Sequence, residues 1–275
     1  MNPAGLVVLP RYGGEIHYEL DLVREEHQVD VSVVDSKTSM IAAGIGYTFD
    51  GQQFTKRASL QHTATLALAY PFFNKMLNVG VGLKYVNVSD AFLGNYLNAL
   101  AADLGVLSRL PFGVSFGAVG YNLLQFQNSS QYQSGRVPLS AGFGASMDFG
   151  PLSALVFGGT PAQGMVTNVA GVATPSTGEP LGPLSGLSIE GDWHMRFLTL
   201  YGIQSRLSVG MEYLLFNLVP LRAGYMFQQE DEDHRVSVGA GFVVPSFGLD
   251  VAYQQSVVIP DERVFGCSLK IFLNM

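Results

Sequence analysis

The chain has 275 residues, of which 48% are hydrophobic and only 13% charged, and its formal net charge is −7. The many aromatic and β-branched residues exclude a disordered chain, and the acidic balance argues against nucleic acid or anionic lipid headgroups as main partners. No run of 18 or more apolar residues is present to form a membrane-spanning helix, and the single cysteine, Cys267, excludes an internal disulfide and a cysteine-rich metal site.

The chain opens MNPAGLVVLP, with no charged n-region, apolar h-region or cleavage site of a secretory signal. From there the dominant signal is period two. In GEIHYELDL, Ile16, Tyr18, Leu20 and Leu22 fall on one face, and Glu15, His17, Glu19 and Asp21 on the other. In LNVGVGLKY, Leu77, Val79, Val81, Leu83 and Tyr85 alternate with Asn78, Gly80, Gly82 and Lys84. LSAGFGASMDF, LSIEGDWHMR, RLSVGMEY and VSVGAGF repeat the pattern. It predicts fourteen strands, at 14–22, 28–35, 40–50, 60–71, 77–88, 98–108, 114–125, 138–149, 187–198, 205–215, 219–228, 235–244, 247–257 and 264–273. Most are about ten residues long, the length a tilted strand needs to cross a bilayer.

The connections alternate in kind. DSK, PFFNKM, LPFG, FNLVP and VPSF are tight turns, whereas GQQFTKRA, NVSDAFLGNY, QFQNSSQYQSGR and QQEDEDHR are longer and polar. Short turns at one end and long loops at the other are expected of an outer-membrane barrel, with both termini on the short-turn, periplasmic side. Residues 150–186, rich in Gly, Pro, Thr and Ser, break the rule. Within them 151–159 has a strand-like composition, but a fifteenth strand would put the C-terminus on the wrong side. The segment is read as an insertion in a single barrel domain, either a lumen plug or a periplasmic excursion.

A soluble all-β protein would bury the apolar face, whereas a membrane barrel turns it to lipid. Three features favour the membrane. The polar face is dominated by Gly, Ala and Ser, the surface charge of a soluble protein is missing, and aromatics cluster at strand ends (Tyr47, Phe49, Tyr70, Phe72, Phe73, Tyr85, Phe112, Tyr225, Phe227). The fold class expected is therefore all-β: one antiparallel transmembrane β-barrel of about fourteen strands in the cell outer membrane. Its inward face would carry a charge network in the lumen: Glu190, Asp192, Arg196, Arg206, Glu212, Arg222 and Asp250, with further charges such as Glu15, Lys84, Asp103 and Lys270. Paired charges in a filled lumen are weighed there against an ion or solute pathway.

No pattern carries chemistry. The five histidines (His17, His27, His62, His194, His234) are far apart and form no metal-ligand spacing. Glu190, Asp192 and His194 share one face of a strand, as acid–base groups would, but Arg196 follows on that face and favours a neutralised network. The GxG sequences lie within strands and precede no helix. QQEDEDHR reads as a solvated loop tip rather than a cation site. Cys267 falls on the apolar face of the last strand. No enzyme activity, cofactor or metal is expected.

NPAGL, GVGLKY, AADLGVL, GYNLL, RVPLSAGFGAS, LRAGYMF, VGAGF and GLDVAYQ, in that order over nearly the whole chain, resemble the PorV/PorQ family of outer-membrane barrels, which is related to the fatty-acid transporter FadL. The resemblance implies fourteen strands and an N-terminal hatch packed inside the barrel, ending in an NPA motif. Asn2, Pro3 and Ala4 match that motif, in a structural or gating role. The signal peptide and most of the hatch are missing ahead of Met1, and a truncated chain is expected, with residues 1–11 a remnant of the hatch. PorV-like members serve protein export or surface attachment, so secretion-system or surface proteins are expected partners besides the bilayer. FadL-like members pass hydrophobic molecules through an opening in the wall, so the alternative is a transporter of hydrophobic or small solutes. An apolar pocket reaching a wall gap near a kinked strand would favour transport. A lumen plugged by paired charges, with apolar extracellular loops, would favour a protein partner.

Overall fold

Alternation along the chain folds as fourteen antiparallel strands closed into one barrel. The computed structural model describes residues 2–8, 11–52, 59–90, 95–129, 137–150, 186–198, 202–230 and 232–273. The strands are β1 (Tyr12–Asp21), β2 (Glu26–Asp35), β3 (Ala42–Gln52), β4 (Ser59–Phe72), β5 (Leu77–Asp90), β6 (Asn95–Arg109) and β7 (Val114–Ser129). They continue with β8 (Leu139–Asp148), β9 (Leu187–Leu198), β10 (Gly202–Leu215), β11 (Val219–Gln228), β12 (Asp233–Val243), β13 (Phe247–Ser256) and β14 (Arg263–Leu273). Each strand pairs with its sequence neighbours, and β1 closes on β14 from Tyr12↔Leu273 to Asp21↔Val264.

The pleat decides which residue meets which medium. Ile45, Leu66, Val81, Phe143, Leu207, Val238, Val251 and Ile271 stand exposed on the exterior, while Gly44, Gly80, Asp103, Asp250 and Lys270 face inward. In water a barrel coated with aliphatic side chains would be one large sticky patch. In lipid the same surface is matched to its surroundings, and closure leaves no strand edge unpaired. The wall therefore spans a membrane. Cys267 is on its exposed outer face.

Leu22–Glu25 is a short turn at the far end, and 36–41, Phe73–Met76, Leu110–Gly113, Phe216–Leu218 and Val244–Ser246 lie together at the other. Both barrel-closing strands begin and end there, at Tyr12 and Leu273, which marks the periplasmic side. Phe73, Phe112 and Phe216 project from these turns and are highly exposed, forming an aromatic rim. The strand-like 151–159 and most of the insertion lie outside the described residues. The flanking strands β8 and β9 pair directly, Asp148 with Ser188, at the periplasmic end.

Strand length departs from the sequence reading on one side. β1, β2, β8, β11 and β13 are 10 residues each, but β4 to β7 run 14, 14, 15 and 16. Residues expected in loops, including Ser89, Gln127 and Asn128, continue the ladder instead. Beyond the bilayer a strand meets water on its outer side, so its composition turns polar while its hydrogen bonding persists. The barrel rim consequently stands high at β4–β7 and low at β8.

Candidate functional site

Three features shape the interior and the wall: an N-terminal turn seated in the lumen, a set of charge pairs opposite it, and a break in one ladder.

Pro3–Val7 form a single 3₁₀ turn whose N-cap is Asn2. The Asn2 side-chain oxygen accepts from the Ala4 N–H at 3.0 Å, and its amide donates to the carbonyls of Val106 (3.0 Å) and Ala118 (3.2 Å). One side chain thus caps the turn and ties it to β6 and β7. Pro3 suits the first position of the turn, where no backbone donor is needed. Ala4 and Val8 pack with Leu107, and Val7 packs with Ala42 and Ala69. The seat exists because the wall is small there. A Cβ at Gly80 would land on the Pro3–Ala4 peptide, and one at Gly105 on the Asn2 amide oxygen. The small inward residues noted in the sequence are, on this side, a socket for the N-terminal turn.

The opposite side of the lumen carries charge. Arg222 on β11 contacts Glu212 on β10 at 2.6 Å and also pairs with Asp250 on β13. Asp250 is bound in turn by Lys270 on β14 at 2.9 Å, and Lys270 lies 3.8 Å from Glu15 on β1. Of the network residues singled out in the sequence, the structure joins Glu212, Arg222 and Asp250. Among the described residues no ion pair joins Glu190, Asp192, Arg196 or Arg206 to another charged group. Glu190, Asp192 and Arg196 alternate along β9, whereas the three joined residues sit on β10, β11 and β13 at nearly one height. Cross-strand neighbours rather than same-strand neighbours make the pairs.

The break lies between β7 and β8. β6 and β7 pair regularly up to Leu104↔Gly120 and resume at Ala102↔Leu124, so residues 121–123 stand opposite Asp103 alone. Asn122 takes up the bulge with φ +58°, a left-handed conformation that Asn tolerates better than most residues. Asp103 holds it: one carboxylate oxygen accepts the Asn122 N–H at 2.8 Å, and the other binds Lys84 at 2.9 Å. Lys84 also lies over the Tyr121 ring, 5.2 Å from its centroid.

Beyond Tyr121↔Ser140 the described residues of β8 offer β7 no ladder partner. Side-chain amides bridge the seam instead. Asn122 donates to the Pro138 carbonyl at 2.8 Å, and Gln125 donates to Val137 at 2.7 Å and to Asn122 at 2.9 Å. A cavity of about 440 Å³ opens here, lined by Asn122, Leu123, Gln125, Pro138, Leu139 and Phe197 among others. Leu139 and Phe197 belong to the outer, lipid-side face, whereas Gln125 alternates with outward Leu124 and Phe126 and so faces inward. The cavity is therefore lined from both faces of the wall.

The NPA residues and the charge pairs belong to positions the sequence singled out, but the bulge does not. GYNLL keeps its alternation across the bulge, because two extra residues preserve parity: Gly120 and Leu124 both point outward. Nothing in the pattern slips. Among groups outside the wall, burial and then the neighbouring Arg109 charge pull the Lys75 ammonium, in the Phe73–Met76 turn, below its ordinary value.

The sequence matches no protein-family model and no curated protein. The fold does have counterparts among solved structures. The Pseudomonas putida toluene transporter TodX aligns over 100% of this chain and 93% of its own, with a TM-score of 0.65 and 11% identity. The TodX deltaS2S3 mutant, a monoaromatic hydrocarbon channel, aligns over 100% and 93%, with a TM-score of 0.60 and 12% identity. Acinetobacter baumannii Omp33 aligns over 97% and 100%, with a TM-score of 0.50 and 10% identity. At such identities the likeness is one of fold, and that fold is the outer-membrane β-barrel embedded in its bilayer.

Proposed function

We propose that this barrel passes small hydrophobic molecules, and that they leave the barrel sideways at the β7–β8 seam. The observation that carries the reading is the cavity lined from both faces of the wall, where the ladder is replaced by side-chain hydrogen bonds. Breaking the two side-chain hydrogen bonds that cross it opens such a seam, whereas parting a regular ladder exposes a row of backbone groups to lipid. A solute leaving there does not have to cross the level of the N-terminal turn and the charge pairs. Asn2, Pro3 and Ala4 then serve to occupy the periplasmic part of the lumen, and Glu212, Arg222 and Asp250 to neutralise its far side. TodX, named as a toluene transporter, shares the architecture and fits the same solute class.

The test is uptake of a monoaromatic solute into vesicles carrying the barrel. Leu139→Trp fills the seam and lowers the rate severalfold. An unchanged rate with a correctly folded barrel overturns the lateral route.

One observation supports a second reading, a scaffold for protein export or surface attachment. Leu124 and Phe126, on the outer face of β7 beside the seam, are 66% and 74% exposed. A protein partner would cover them, and Phe126→Ser would weaken its capture without changing solute uptake.

A further inference from the structure

Inward charges in the outer half of the lumen are sorted by side. On β1 to β3, Glu19, Asp30 and Asp50 face inward, five to eight residues above the periplasmic strand ends at Tyr12, Asp35 and Ala42. These three strands contain no lysine or arginine. On β9 and β10, Arg196 and Arg206 face inward, each nine residues above its periplasmic end at Leu187 or Leu215. From Trp193 to Leu198 and from Gly202 to Met211 these strands contain no acid. The neighbouring β7, β8 as far as Met147, and β11 past Arg222 contain no Asp, Glu, Lys or Arg. In the ring of fourteen strands β2 and β9 are seven apart in either direction, so the acidic and basic walls face each other.

The two arginines are also neighbours. Arg196 opposes Gln204 and Arg206 opposes His194, so they stand on one diagonal of the same face, and both are exposed. Asp192 occupies the other diagonal of Arg206 without forming an ion pair with it. Like charges placed side by side repel, and a bound anion relieves the repulsion. Each guanidinium presents a planar fork of donors that matches the two oxygens of a carboxylate. The pair adjoins the seam: Arg196 opposes Ser140 on β8 and is followed in the chain by Phe197 and Leu198, which line the cavity together with Leu123 and Leu139. That cavity, about 440 Å³, suits a single ring. A carboxylate-binding pair thus stands next to an apolar space of ring size. An anion entering from outside is repelled by one wall and drawn to the other, where the seam is.

We propose that Arg196 and Arg206 bind the carboxylate of small aromatic acids whose ring lies in the seam cavity, so that the barrel accepts such acids as well as neutral solutes. The proposal rests on the transport reading only for the use of the cavity. The arginines hold the charged end in the wet lumen, and the ring takes the apolar side.

The test titrates para-fluorobenzoate, and separately its uncharged counterpart para-fluorobenzyl alcohol, into the barrel in zwitterionic phospholipid nanodiscs. Fluorine NMR reads the binding, with empty nanodiscs as the reference and heat-modifiable gel migration as the check on folding. Wild type binds fluorobenzoate saturably. The variant combining Arg196→Gln and Arg206→Gln binds it about tenfold more weakly or worse, and its affinity for the alcohol is unchanged. The variant combining Arg196→Lys and Arg206→Lys keeps the charges without the forks and falls between the two. Leu139→Trp, which fills the cavity, weakens the binding of both ligands. Absence of saturable fluorobenzoate binding to wild type, or equal affinity for it in wild type and the double glutamine variant, overturns the proposal. Unchanged fluorobenzoate affinity in Leu139→Trp overturns the placement of the ring. The transport reading fails separately, on uptake of a neutral monoaromatic solute.

Discussion

Asp103 is the residue through which the seam can be perturbed without touching either strand edge. Its carboxylate is 6% exposed, caps the Asn122 N–H and pairs with Lys84. Asp103→Ala removes the acceptor of a buried backbone donor and leaves the Lys84 ammonium, itself 17% exposed, without that counter-charge. A hydrogen bond to a charged group contributes about 1.5–3 kcal/mol, and breaking a buried ion pair costs about 3–5 kcal/mol. The two overlap at one carboxylate, and Lys84 retains the Tyr121 ring. A net local loss of about 3 kcal/mol follows, or roughly 10²-fold in the opening equilibrium of the bulge. Amide hydrogen exchange read by NMR in lipid bicelles measures this at Asn122 and its neighbours. Protection there falls by about two decades, while the β11–β14 ladders keep theirs. Asp103→Asn keeps an acceptor for Asn122 and loses only the charge, so it has the smaller effect. Exchange at Asn122 within threefold of wild type in Asp103→Ala, or an equal loss of protection around the whole barrel, refutes the reasoning.

Gly105→Ala drives a methyl into the Asn2 amide and unseats the N-terminal turn, so single-channel recording detects a higher conductance while heat-modifiable gel migration still reports a folded barrel. Asn2→Ala removes three hydrogen bonds, costing about 2–4 kcal/mol of seating, and raises conductance in the same direction. Arg222→Met leaves Glu212 and Asp250 facing each other with Lys270 as the remaining cation on Asp250, and lowers the urea midpoint in lipid by an amount matching about 3 kcal/mol or more; adding Glu212→Gln recovers part of it. Trp193, the single tryptophan, is 45% exposed on the outer face, so brominated acyl chains quench its fluorescence strongly and aqueous iodide weakly.

The barrel was legible because one physical rule, alternation between lipid and lumen, operates in every strand from Tyr12 to Leu273. The same rule hides what happens where it does not operate. Past the bilayer, β5 to β7 continue through Asn, Ser and Gln side chains that sequence reading assigns to loops, since water no longer selects an apolar outer face. The bulge at Asn122 preserves parity and leaves no trace in the pattern. The charge pairs were legible as a set of inward residues but not as partners, because register, which brings Arg222 beside Glu212, depends on turn lengths. The same register brings Tyr18 to His27, Tyr47 to His62 and Tyr225 to His234: three of the five histidines looked isolated until their hairpins aligned them with tyrosines. The role of Asn2 depends on two carbonyls more than a hundred positions away, which no local pattern encodes.

The claim on which the account most depends is that solutes pass through the seam between β7 and β8. After Cys267→Ser, the pair Leu123→Cys and Leu139→Cys places one thiol on each side of the cavity, and a bifunctional thiol reagent with a reducible linker locks the two strands together. Uptake of a monoaromatic solute into barrel-bearing vesicles is then measured before locking, after locking and after reduction. The account predicts that locking removes most of the barrel-dependent uptake and that reduction restores it. Uptake that continues unchanged through a fully cross-linked seam contradicts it.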